Sequence, residues 1–156
     1  MPQYKDTNNN VHQIEEGFEY LMAGWPTGFT KITDEEATLI LNPPLTLDQA
    51  KAAQIAILEA AYAAAIQLPV TYMATTFQCD DYSRKVLAEC VAAGAVLTGF
   101  YWLDSVNAKT EMTFIQLQGL ANAMFVQNQP KFDNLFIKKT AVKTATTVAE
   151  VQAVVW

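Results

Sequence analysis

Apolar and polar positions alternate in short runs at the start of the chain and take up a helical period after residue 33. Residues 3–14 place two extended pieces on either side of Asn8, Asn9 and Asn10, which tolerate left-handed backbone and favour turns, so a β-hairpin is predicted. Gly17, Gly24, Trp25-Pro26 and Gly28 punctuate the next stretch, and Phe29 to Ile32 adds one short strand over a small aromatic core. Thr33 followed by Asp34-Glu35-Glu36 is a capping box: the hydroxyl accepts from the third helical N–H while Glu36 reaches back. The short helix it opens runs through Leu41 and must stop at Asn42-Pro43-Pro44, since proline removes a donor and restricts its predecessor.

Thr46 to Gln49 repeats the capping signal, and residues 49–67 are dominated by alanine, the strongest helix former. On that helix Ile55, Leu58 and Tyr62 recur at steps of three and four, a narrow seam that serves either intramolecular packing or self-association. Pro69 ends it, and residues 70–79 read as a strand or a bent pair of strands. Asp80 or Asp81 caps a helix with Tyr82, Val86, Cys90 and Ala93 on one face, closed by Gly94. Residues 99–112 read as strand, turn, strand, and Thr113 with Gln116 opens a helix expected to bury Phe114, Leu117, Leu120, Ala121, Met124 and Phe125. Pro130 is expected to kink or divide that helix, and Thr147 with Glu150 caps a last turn before Trp156. The fold class is therefore α+β: a β-rich segment over 1–44, an Ala-rich connecting helix over 45–68, and a C-terminal domain over 69–156 with a small antiparallel sheet packed on helices.

Charge and composition narrow the function. With 156 residues, 51% hydrophobic and 17% charged, the chain is globular rather than disordered. Its net charge of -6 argues against a nucleic-acid partner, whose phosphates need clustered cations. Eight acids face two lysines before residue 50, while Lys131, Lys138, Lys139 and Lys143 form a mild basic cluster later. The start lacks the basic and apolar regions of a secretory signal, and the Ala-rich run is too interrupted to span a membrane, so a cytoplasmic protein without membrane contact is expected.

Catalytic chemistry is short of parts: one histidine, two cysteines and a single arginine cannot assemble the usual base, nucleophile and anion clamp. His12 beside Glu15 and Glu16 lacks the further ligands of a metal site, and Asp80, Asp81 and Asp104 sit where caps and turns want aspartate. Cys79 and Cys90 are reduced, with Cys90 a small core residue. No glycine pattern fits a phosphate loop, so no cofactor is expected. Exposed aromatics are the remaining functional currency, and Trp25, Phe29 and Tyr20 are the candidate partner contacts.

The segments YKDTNNNVHQI, TGFTKITDEEA, the NPP break, FQCDDYSRKVL, FYWLDSVNAKTEMTFIQLQGLANAM and TTVAEVQAVVW resemble tail-fibre assembly-like proteins of bacteriophages and prophages, over most of the chain. From about Val70 onward it is similar to the uncharacterised domain recurrent in those proteins. The resemblance implies a non-enzymatic, chaperone-like protein that binds the tail-fibre polypeptide in the host cytoplasm and promotes its folding, trimerisation or attachment. The alternative it implies is a structural subunit retained in the virion tail or fibre tip, which mass spectrometry of purified particles distinguishes from a transient helper.

Overall fold

The computed structural model describes residues 1–156 and confirms an α+β protein. The chain divides into two compact units, Met1–Thr46 and Leu47–Trp156.

In the first unit, β1 (Gln3–Asp6) is the centre of a three-stranded antiparallel sheet, flanked by β2 (Val11–Gln13) and β3 (Phe29–Ile32). The hairpin loop is set by Asp6, whose carboxylate accepts from the Asn8 and Asn10 backbone N–H groups while Asn9 takes a left-handed φ of 61°. A 3-10 turn (Glu19–Leu21) crosses to β3, and α1 (Asp34–Leu41) starts on the predicted box between Thr33 and Glu36. Only Tyr4, Ile32 and Ala37 are buried in this unit.

The second unit is built on α4 (Phe114–Thr144), 31 residues and about 46 Å long. Its N-terminal half carries one core: Leu117, Leu120 and Met124 meet Val70 and Phe77 of the hairpin β4 (Val70–Tyr72) and β5 (Thr75–Phe77), with Leu87 of α3 (Asp81–Ala92). Its C-terminal half carries another, where Val142 packs with Ala50 and Leu58 of α2 (Leu47–Ala65) and Val151 of α5 (Val148–Gln152). A second hairpin, β6 (Tyr101–Leu103) and β7 (Lys109–Glu111), repeats the loop chemistry of the first unit: Asp104 accepts from the Val106 and Ala108 N–H groups, and Asn107 has a φ of 63°.

Several expectations change. Of the two outcomes expected at Pro130, division does not occur: α4 is one helix through it, the missing N–H frees the carbonyl of exposed Val126, and a core on each half holds the helix continuous. The Ala-rich helix is no connector but part of the second unit, packed against α4 and α5. Tyr82 and Phe125, expected on buried faces, are 77% and 62% exposed, and Leu87 anchors α3 instead. Of the free thiols, Cys79 is the buried one and Cys90 is half-buried.

The ends of α2 show where the scarce cations go. At its C-terminus Lys131 donates to the Ala65 carbonyl at 2.9 Å, and Arg84 and Asn128 donate to Ile66 at 3.1 and 3.4 Å. These side chains satisfy carbonyls that a helix end leaves unpaired and complement its dipole. The lone arginine is thereby a cap.

Gly119 has a packing reason inside α4: a Cβ there would sit 2.6 Å from the Cζ of Tyr72. Gly119→Ala is expected to destabilise the unit by about 1–3 kcal/mol through overpacking, against about 1 kcal/mol of gained helix propensity. In a Tyr72→Ala background the same change should become stabilising, a sign reversal readable by urea denaturation.

Candidate functional site

The aspartates singled out in the sequence as possible chemistry, Asp80, Asp81 and Asp104, each have a structural partner. Asp80 caps α3, accepting from the Ser83 N–H at 2.9 Å and the Ser83 hydroxyl at 2.8 Å; these bonds hold its carboxyl below the usual range. Asp6 is held well below that range, first by the Asn10 side chain and then by the backbone N–H of Asn10, with His12 Nε2 at 3.2 Å adding to it. His12 also packs edge-on against Phe29 at 5.4 Å, a structural setting. Asp81 pairs with Arg84. No three His, Cys, Asp or Glu side chains come together as a metal-binding group.

What the structure does present is aromatic surface, in three places. In the first unit Trp25 and Phe29 lie 6.3 Å apart and are half-buried; Trp25 meets Tyr4 edge-on at 5.0 Å, so part of each ring supports the small core. Tyr4 in turn donates to Glu19, and burial together with that carboxylate pushes its hydroxyl pKa up. Tyr20 is the member of the predicted trio that is open, stacked on Phe18 at 6.2 Å beside exposed Leu21.

The second place is a cleft of about 200 Å³ between α3 and β6, lined by Gln78, Tyr82, Ser83, Val86, Tyr101, Trp102 and Leu103. Its position follows from local chemistry. The Asp80 cap fixes the first turn of α3, and the Asp104 loop fixes β6, so Tyr82 and Tyr101 face a common groove. Trp102 is half-buried and packs on the core with Phe100 at 6.4 Å, and the Lys109 ammonium lies 4.2 Å over the Tyr101 ring. The Met112 N–H donates to the Phe100 carbonyl at 3.1 Å and the Asp104 N–H to the Ala108 carbonyl at 3.0 Å, while the Phe100 N–H turns to the Leu97 carbonyl and the Ala108 N–H to the Asp104 carboxylate. Alternation along the strand therefore turns the polar backbone groups of Tyr101 and Leu103 away from β7, toward an edge on which no strand is paired over those residues. Ser105, next in the same alternation, donates to the Thr76 carbonyl of β5 at 2.8 Å and closes that end.

The third is the outer face of α4, where Phe125, Phe132 and Phe136 are all more than half exposed. The predicted self-association seam does not share this fate: Leu58 is fully buried against Val142 and Val151, and Ile55 packs at the edge of that core. Tyr62 lies at the margin, edge-on to Phe132 at 6.4 Å and to Trp156 at 6.2 Å. The α2 seam is thus spent on intramolecular packing. Sequence reasoning missed Tyr82, Tyr101 and the α4 stripe. The spacing of seven and four from Phe125 to Phe136 was the available signal.

Residues 49–155, nearly the whole second unit, match the family described as Domain of unknown function (DUF4376). No curated protein and no solved structure matches the chain.

Proposed function

The chain belongs to the DUF4376 family, and within that family we propose that it is a bacteriophage tail-fibre assembly protein, acting by binding rather than by covalent chemistry. Its partner is the tail-fibre polypeptide, which it holds during folding, trimerisation or attachment in the host cell. The observation that carries this reading is the α3–β6 cleft, where Tyr82 and Tyr101 flank an unpaired strand edge. Such an edge takes an extended segment through main-chain hydrogen bonds, while aromatic walls supply hot-spot area. The resemblance of the FQCDDYSRKVL and FYWLDSVNAKTEM segments to tail-fibre assembly-like proteins supports it further, because those segments build both walls of the cleft. The engagement of Asp80 and Arg84 at helix ends and of Asp104 in a hairpin loop supports a non-enzymatic role. No helix is long and apolar enough to cross a membrane.

Co-expression with the fibre encoded beside it tests the reading. The wild-type chain should raise the yield of soluble trimeric fibre and co-purify with it. The double variant Tyr82→Ala/Tyr101→Ala should weaken capture at least ~30-fold, as for hot-spot residues. Both side chains are solvent-exposed, so its melting temperature should stay near wild type. Fibre that folds equally well without this chain would sink the proposal.

A further inference from the structure

Helix α4 carries apolar residues beyond the face that meets the cores. One side is covered by the two cores. On the other, Phe125, Phe132 and Phe136 are 62%, 53% and 68% exposed and follow one another at heptad-like steps. With Val126, Ile137 and Trp156 at the margins, the patch amounts to roughly 600–700 Å². That exceeds what a monomer ordinarily leaves open and approaches the ~800 Å² that each partner contributes to a standard interface.

We propose that a second copy of this chain covers the stripe, its α4 running antiparallel to the first about a two-fold axis between Pro130 and Lys131. Two features select this occupant. First, reversal about that point sets Phe125 of one copy against Phe136 of the other and seats Phe132 over Gln129, so both ends of the stripe find an aromatic partner in one self-complementary contact. Second, charge disfavours the parallel arrangement. No charged residue occurs on α4 before Lys131, whereas Lys131, Lys138, Lys139 and Lys143 all fall after Pro130 with Asp133 as the sole acid. Lys131 is engaged by the Ala65 carbonyl and Lys139 by Glu59, which leaves Lys138 and Lys143. A parallel pair would bring these two near their counterparts, while an antiparallel one lays them on an uncharged half and opposes the two dipoles. The surface is separate from the α3–β6 cleft, and the inference does not depend on the fibre reading.

Sedimentation of the purified full chain across a concentration series tests it. Wild type should sediment at twice its 17.2 kDa. Phe136→Glu, whose ring makes no intramolecular aromatic contact, should raise the dimer dissociation constant at least ~30-fold. Its circular dichroism should be unaltered. In a Cys90→Ser background, spin labels at Asp133→Cys should lie within about 25 Å of each other, and labels at Gln118→Cys roughly 35–40 Å apart. Close Gln118 labels would mean a parallel pair and overturn the geometry. A monomer at all concentrations, a dimer indifferent to Phe136→Glu, or a monomer that uses Phe136 to hold fibre would overturn the occupant.

Discussion

Phe77→Ala is expected to lower the stability of the second unit by about 3–5 kcal/mol, the range for truncating a fully buried aromatic. Phe77 is the largest side chain with no solvent exposure, and its cross-strand partner Val70 is buried beside it. The two form the inner face of the β4–β5 hairpin against Leu117, Leu120 and Met124 of α4. Removing the ring leaves a cavity between a short hairpin and a rigid helix, and neither can collapse to fill it without breaking its own hydrogen bonds. Since a domain of this size has only about 5–15 kcal/mol in hand, the melting temperature should fall by roughly 10–30 °C. Denaturation followed by tryptophan fluorescence reads it directly, because Trp102 packs against this core. A loss under about 1 kcal/mol would show that the hairpin is not seated on the helices.

Leu58→Ala should cost about 2–5 kcal/mol with the molecular mass of the assembly unchanged. Leu58 is the only fully buried member of the α2 seam and joins α2 to both α4 and α5 through Val142 and Val151. Hydrogen bonds from Lys51 to the Lys143 carbonyl and from Gln54 to the Val154 carbonyl flank it and depend on the same helix placement. If the seam were instead the self-association face, the substitution would shift the oligomer equilibrium and leave the melting temperature of the dissociated chain in place. Sedimentation and calorimetry on one preparation separate the two outcomes.

Signals between near neighbours in the chain are the legible ones. The boxes at Thr33, Thr113 and Thr147 all form, and Asp80 caps α3, because each depends on groups three positions apart. The two hairpin loops were legible for a similar reason, an aspartate accepting from N–H groups two and four residues on. The β4–β5 turn was harder. It places Met73 and Ala74 at φ 51° and 61°, a conformation usually marked by Asn-Gly, so residues 70–79 read equally as one strand or two. The candidate site was less legible still. Tyr82 and Val86 repeat at a helical step just as Leu87 and Val91 do, and period alone cannot say which stripe turns inward.

The sequence by itself determined the element order, the starts of the capped helices and the hairpin loops, since their energetics reside in hydrogen bonds between near neighbours. Only the tertiary structure decided which face of α3 and α4 meets the core, that α4 passes through Pro130, that Leu58 lies inside, and that Arg84 serves the end of α2. Those outcomes turn on contacts between residues 18 to 100 positions apart, such as Arg84 with Ile66 and Gln54 with Val154, where burial of one surface excludes burial of its rival.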